Sequence, residues 1–415
     1  MLAMWSPAVI CSIVLLLHSA PLSWAKCAQP SLPDLALQHV LDDAAQIFGA
    51  SSASNPQSGG TGNQSTWMSG YPDSTPLTQL TIPGAHDAAT WNFSLATRDS
   101  LPPDAGTNDP AYFRTQRASI SGALGAGVRF FDLRYALDPT GTTLVFWHKN
   151  ALLSEVARVA DVMFAFYAWL DAHPSETVLL SFQYEGGTAP GAANNAAVQQ
   201  QLFDVLTGPA AKKYILGTRG TLGSLGAARG KVVLLRRFDL DQLPASYDAA
   251  LPGIHLSPAL WLDNEPDFEL VYNADEGSIA YIEDYYEPSD LPAGLNATVN
   301  IAKKLDAVAA HLDKAATTQE QDGFFITFTS AEHNDNEPPV FPEIMALGNG
   351  TADTPLGGVN QQLLPLLKGL QGKRLGVVVV DYWDEPADLV DAILGVDTAK
   401  ADSKRGAESE DASAL

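Results

Sequence analysis

Cysteine is nearly absent from this 415-residue chain: only Cys11 and Cys27 are present. A disulfide framework is therefore excluded, and stability must come from packing. Positive charge is also scarce, with 24 Lys and Arg against 48 Asp and Glu, for a formal net charge of −24. Such a surface repels nucleic acid and anionic membranes at long range, so an anionic ligand needs a local cluster of cations. No apolar run is long enough to span a bilayer, because Val9 to Leu17 is too short. No two histidines stand at metal-ligand spacing, which disfavours a zinc site, and no repeat of solenoid period is evident.

What is present reads as a globular chain, 46% hydrophobic and 17% charged, able to bury a large core. The apolar run Val9 to Leu17, followed by Ser23-Trp24-Ala25, reads as a signal peptide over residues 1–25, although Lys and Arg are missing ahead of the run. Cys11 leaves with it, and one thiol remains. Four tripeptides beginning at Asn63, Asn92, Asn296 and Asn349 are glycosylation acceptors and agree with a secreted, extracellular glycoprotein. Residues 26–66 read as an N-terminal extension and linker, with a short helix over Leu35 to Phe48 capped by Asp34 and a polar stretch over Ser51 to Ser65. The folded domain is expected over 67–398, and the small, charged segment 399–415 as a disordered tail without a lipid-anchor signal.

Within the domain, apolar runs alternate with helical patterns. The candidate strands are Leu77 to Ile82, Val128 to Arg134, Thr143 to Trp147, Thr177 to Phe182, Lys231 to Arg237, Ile279 to Glu283, Phe324 to Thr329 and Gly376 to Val380. The main helical stretches are Ser154 to Ala172, Asn195 to Leu206, Val299 to Ala316 and Pro386 to Leu394. This alternation predicts an α/β fold, a (β/α) TIM-type barrel, with a doubly wound sheet as the alternative.

Each strand stops on residues that handle protons or phosphate: His86 and Asp87, Asp132 and Arg134, His148, Gln183 and Glu185, Arg236 and Arg237, Glu283 and Asp284, Ser330, and Asp381. A barrel gathers such ends at one mouth, which is the simplest account of so many costly groups beside apolar strands. The bland readings differ. Asp132 and Arg134, two apart and on one face, form a structural ion pair at least. Only one of Arg236 and Arg237 can point inward. Asp284 and Asp381 taken singly are turn residues or helix caps more often than site residues. His39, in the short N-terminal helix, and His173, at the helix stop Ala172-His173-Pro174, read as incidental, His255, His311 and His333 as surface or loop residues, and Trp383 as a rim aromatic packed on its own barrel.

The stretches Ile82-Pro83-Gly84-Ala85-His86-Asp87, Phe131-Asp132-Leu133-Arg134, His148, Pro174-Ser175-Glu176-Thr177, Gly230 to Arg237 and Val380-Asp381-Tyr382 resemble the phosphatidylinositol-specific phospholipase C family in its bacterial type. The resemblance implies a distorted or incompletely closed barrel. It implies an internal attack by the inositol 2-hydroxyl on phosphorus, giving a cyclic phosphate and diacylglycerol. In that reading His86 is the general base oriented by Asp381, and His148 is the acid assisted by Asp87. Arg134 clamps the phosphate with support from Asp132. Arg237, Asp284 and Tyr286 contact the inositol ring, with Gln183 and Glu185 among the substrate-binding residues. Because the bacterial type uses an Arg where calcium-dependent members hold a metal, the resemblance implies no metal and no other cofactor. The partners implied are a phospholipid or other phosphodiester and a transient membrane interface, without nucleic acid.

Two departures bear on the head group rather than on proton transfer: Gln183 stands where the family has a Lys, and Lys149 where a Gly usually follows the second His. The competing readings are a metal-dependent glycerophosphodiester phosphodiesterase or sphingomyelinase D-like enzyme, with Glu185, Glu283 and Asp284 as ligands, and a barrel that binds a head group without turnover.

Overall fold

The computed structural model describes residues 30–50, 64–101, 109–185, 193–288, 291, 292, 294, 296–318 and 322–396. The expected leader, both cysteines, the acceptor Asn63, the tail and all of the expected linker except Gln64 and Ser65 lie outside the described residues.

The strands are β1 (Ile82–Ala85), β2 (Phe130–Leu137), β3 (Leu144–His148), β4 (Ala151–Leu152), β5 (Val178–Tyr184), β6 (Val232–Arg237), β7 (Ile254–His255), β8 (Phe268–Asn273), β9 (Ser278–Glu283), β10 (Phe324–Phe328) and β11 (Val377–Val380). Their order is β7-β6-β5-β2-β1-β11-β10-β9-β8, with every neighbouring pair parallel except β9 and β8. No ladder joins β7 to β8 or β9 among the described residues, so the α/β barrel is nearly but incompletely closed, as expected.

Period-two alternation divides the core into two layers. Ile82, Phe130, Leu179, Val233, Leu235, Ile282, Ile326, Val377 and Val379 fill the barrel interior. Their alternates Phe131, Leu133, Leu180, Leu234, Val378 and Val380 pack outward against the helices. Gly84 is dictated by close approach: a Cβ there would lie 2.9 Å from Cδ1 of Phe130 and 3.2 Å from Cγ2 of Val379.

Three expectations need correction. Leu77–Gln79 is a 3₁₀ turn, and the first strand begins at Ile82. The strand read over Thr143 to Trp147 is no barrel stave. It is β3, antiparallel to β2 in a hairpin beside the barrel, so His148 reaches the mouth from that hairpin. The N-terminal helix spans Leu32–Phe48, with Ser31 as its cap and Asp34 completing the capping box. It is part of the folded unit, since Ala44, Ile47 and Phe48 join the main core and Phe48 meets Phe166 edge to face at 5.1 Å.

The Pro174 to Thr177 motif sits at the far end of the barrel. Glu176 is fully buried and accepts from Arg129 Nε at 3.0 Å and Nη2 at 2.7 Å. The guanidinium also donates to the carbonyls of Leu124 and Val128 and lies 4.8 Å from the Trp169 ring. Burial pulls Arg129 down to about 10 against the opposing pull of Glu176. This motif ties β2 to β5 from below and leaves the chemistry to the opposite end.

Candidate active site

Strand register brings the first two site residues together. Ala85 of β1 pairs with Val380 of parallel β11, so the next residue of each strand, His86 and Asp381, emerge side by side. The His86 amide donates to the Val380 carbonyl at 3.1 Å, and Gln116 Nε2 donates to the carbonyls of His86 and Val380, each at 2.9 Å. One level across, Arg134 of β2 pairs with Gln183 of β5, and Gln183 with Arg237 of β6. These side chains open into a cavity of about 540 Å³ that is lined by His86, His148, Arg134, Arg237, Asp284 and Asp381, among others.

His86 is held from both sides. Its Nδ1 lies 2.8 Å from Asp381 Oδ1, and its Nε2 lies 2.8 Å from Arg134 Nη2. A guanidinium only donates, so Nε2 accepts and the ring proton resides on Nδ1, facing Asp381. Burial, then the cations Arg134, His148 and Arg237, hold His86 well below the ordinary imidazole range. Burial and the negative charge of Asp87 push Asp381 well up, so its charge is best compensated when His86 becomes imidazolium.

His148 has the opposite setting. Its Nδ1 sits 2.7 Å from the Phe113 carbonyl and 3.0 Å from Asp87 Oδ2, which leaves Nε2 for the cavity. Burial works against its charge, but Asp87 outweighs burial and raises its pKa. Burial would likewise raise Asp87, yet His148 and Arg134 hold it at about 2. The surroundings thus favour the neutral form of one imidazole and the protonated form of the other at one cavity.

Arg134 is the hub of the charges. Its Nε and Nη2 each lie 3.3 Å from Asp132 Oδ2, Nε is 3.7 Å from Asp87, and Nη1 is 3.9 Å from Glu185. Glu185 Oε1 also accepts from the Lys149 amide at 2.7 Å, which joins Arg134 to the turn after His148. Arg237 stands 3.8 Å from both Asp132 and Asp284 and stacks 3.6 Å above the Trp261 ring. Burial lowers Arg237 and raises Asp284, which accepts from Trp261 Nε1 at 2.7 Å. Tyr286 lines the cavity and donates to Asp263 Oδ1 at 2.9 Å.

Residues in the left-handed region follow three of these groups. Asp87 (φ 40°) follows His86, Lys149 (φ 50°) follows His148 and Tyr382 (φ 46°) follows Asp381. Such backbone in a non-glycine residue costs on the order of 1–3 kcal/mol and persists only where its surroundings enforce it. Around Tyr382 that enforcement is visible: Asn360 Nδ2 donates to the carbonyls of Asp381, Tyr382 and Glu385, and the Tyr382 hydroxyl donates to the Arg114 carbonyl at 2.8 Å.

Of the arginine pair only Arg237 faces the mouth, while Arg236 is buried outward on Asp248 at 2.7 Å. Ser330, Gln183 and Lys149 line the cavity, and Lys149 Nζ reaches Glu332 at 3.0 Å. Glu283 is not in the mouth. It is buried against Lys304 Nζ at 2.7 Å, and burial raises it to about 7. The set Glu185, Glu283 and Asp284 is therefore not brought together, and among the described residues no group of three or more His, Cys, Asp or Glu is arranged to hold a metal ion. His311 and His333 are buried, bonded to Thr327 and Asn300, rather than exposed or in loops at the surface, and His255 belongs to β7. Trp383 is buried, as expected. The Phe113 carbonyl, Gln116 and Trp261 were not singled out in the sequence. A carbonyl leaves no side-chain signal, and Trp261 follows a strand of only two residues.

No family model matches the chain. Among curated relatives, 1-phosphatidylinositol phosphodiesterase of Staphylococcus aureus (strain Newman) is 24% identical over 337 residues, covering 79% of this chain and 92% of the relative. PI-PLC X domain-containing protein 1 of Mus musculus is 33% identical over 146 residues, covering 31% of this chain and 41% of that protein. Among solved structures, a phosphatidylinositol-specific phospholipase C from Staphylococcus aureus superposes with a TM-score of 0.59 at 19% identity, covering 81% of this chain and 98% of that one. Its counterpart from Listeria monocytogenes gives 0.56 at 18% identity, covering 81% and 99%. The structural likeness shows a shared barrel fold. The near full-length sequence likeness adds support for a place in the phosphatidylinositol-specific phospholipase C family.

Proposed function

We propose that the chain cleaves the phosphodiester of a phosphatidylinositol-type lipid by acid–base chemistry between His86 and His148. One observation carries the reading: two imidazoles at one cavity have opposed proton preferences, His86 held down by burial and the cations around it and His148 held up by Asp87. A binding module has no use for such a pair, whereas a base and an acid need pKa values moved apart.

His86 Nε2 takes the proton of the inositol 2-hydroxyl, and its new positive charge is met by Asp381. The alkoxide oxygen forms a bond to phosphorus, the bond from phosphorus to the glycerol oxygen breaks, and His148 Nε2 gives that oxygen its proton. The products are a cyclic inositol phosphate and diacylglycerol. Arg134 binds the non-bridging oxygens where charge redistributes, and Asp132 and Glu185 hold its fork in place. Arg237, Asp284, Tyr286 and Gln183 bind the ring hydroxyls. Metal independence belongs to this reading. So does secretion, supported by the leader pattern and by exposed Asn296 and Asn349 in acceptor tripeptides. No helix among the described residues is long and apolar enough to cross a membrane.

The test is release of water-soluble cyclic phosphate from phosphatidylinositol micelles, with and without EDTA, beside His86→Ala. Chelator-resistant product that falls by roughly 10²–10⁴-fold in the variant supports the mechanism. Product lost to EDTA favours a metal-dependent phosphodiesterase, and ligand binding without product in parent and variant alike favours a binding barrel.

A further inference from the structure

The loop after β7 presents a consecutive apolar edge. Pro258, Ala259 and Leu260 are exposed, Trp261 turns inward, and Leu262 is exposed again. Leu260 and Leu262 retain 53% and 50% of their accessible surface. Both flank Trp261, which lines the cavity together with Pro258, stacks on Arg237 and donates to Asp284. This loop is braced. Asn264 and Glu287 exchange two hydrogen bonds, Asn264 Nδ2 to the Glu287 carbonyl at 2.6 Å and the Glu287 amide to Asn264 Oδ1 at 2.8 Å, and the Asp284 amide donates to the Glu265 carbonyl at 3.0 Å. Two leucines held out to water on a fixed loop, at the mouth of a cavity, are the arrangement expected of an interaction surface.

The charges beside the edge select its partner. From Leu256 to Asp267 there is no Lys or Arg, and Asp263 and Glu265 are exposed, while Asp267 is paired with Lys314 Nζ at 2.7 Å. Asp239, which lies 2.9 Å from His255 of β7, and Asp241 line the same cavity and add two more carboxylates. An anionic lipid surface is repelled by such a rim, whereas a zwitterionic one is not, and it admits apolar side chains at its headgroup boundary. From these observations we infer that Pro258–Leu262 is the edge by which the protein docks on a zwitterionic lipid surface, with Leu260 and Leu262 entering the interface and Trp261 carrying the contact through to the head-group cavity.

The inference rests on the reading of the cavity as a lipid head-group site, and the test separates the two. The full chain and L260S/L262S are compared in three assays: sedimentation with phosphatidylcholine vesicles, sedimentation with phosphatidylglycerol vesicles, and turnover of dibutyroyl-phosphatidylinositol below its micelle concentration. Losing two partly inserted leucines is expected to weaken binding to phosphatidylcholine vesicles roughly tenfold or more. Turnover of the soluble substrate stays unchanged, which also reports that the variant is folded. Equal vesicle binding by variant and parent, no binding by the parent, or tighter parental binding to phosphatidylglycerol than to phosphatidylcholine overturns the docking edge. If the parent leaves the soluble substrate intact, the catalytic reading fails on its own, and sedimentation still decides the docking surface.

Discussion

Arg134 Nη2 lies 2.8 Å from His86 Nε2, on the ring nitrogen opposite the one that faces Asp381. In the free protein the nitrogen assigned to accept the substrate proton is therefore occupied by a donor from the residue assigned to hold the phosphate. On the proposed reading, a phosphodiester entering the cavity would draw the guanidinium onto its oxygens and release the base, so that the arrival of the anion and the exposure of the base become one event.

This contact also sets the acidic limb of the pH–rate profile. Arg134 is among the groups holding His86 well below 6.5, so Arg134→Ala removes a cation and lets the His86 pKa rise. The acidic limb of kcat/KM then moves to higher pH. The rate at the optimum falls by roughly 10²–10³-fold, as for removal of one preorganised donor to a developing anion. Profiles of parent and variant from pH 4 to 9 check both parts, and an unmoved limb would count against the assignment of His86 as base.

The alkaline limb belongs to His148. Asp87 raises its pKa and, more weakly against burial and Arg134, that of His86, so Asp87→Asn brings the alkaline limb to lower pH and carries the acidic limb in the same direction. Stability follows the same linkage. A folded-state pKa above the unfolded value near 6.5 gives stability that is fully present below that value and lost as pH rises through the folded one. Asp87 itself, held at about 2, contributes above its unfolded value near 3.9 and loses that contribution as pH falls toward 2. Urea midpoints across pH, parent against Asp87→Asn, should show the variant with a flatter dependence in both windows.

Far from the mouth, the Arg129 and Glu176 pair predicts a loss of stability without a loss of chemistry. Both side chains are fully buried, and Glu176→Ala leaves the guanidinium uncompensated. The expected cost is about 3–5 kcal/mol, with kcat/KM per folded molecule near that of the parent. Denaturant titration and an activity assay on the folded fraction distinguish this from a site residue.

Much of this arrangement was legible in the chain because the chemistry sits at strand ends. His86 and Asp381 could be paired in prospect, since both follow short apolar runs and parallel register does the rest. Arg134 and Asp132 share a face by alternation alone. What stayed hidden lies where local pattern is weak or the partner is remote. The strand β7 is two residues long and carries no periodicity, so Trp261 and the loop behind it had no frame. Residues Thr143 to Trp147 alternate like any stave, and nothing local tells a hairpin beside the barrel from a strand within it. His311 and His333 are satisfied by Thr327 and Asn300 on other elements, a pairing visible only after folding. The part of Glu185, which sits near Arg134 and accepts from the Lys149 amide, also depends on distances that spacing does not encode.

The three left-handed turns at Asp87, Lys149 and Tyr382 restrict how this mouth can vary through descent. A side chain at such a position must tolerate a backbone that most residues refuse, so Gly, Asn and Asp are the inexpensive replacements and β-branched residues are nearly closed off. Drift at these points is steered by peptide geometry before any selection on activity acts. The direction in which His86, His148 and Asp381 aim can then outlast large changes in the surrounding wall, while the rim outside these turns is left free to diversify.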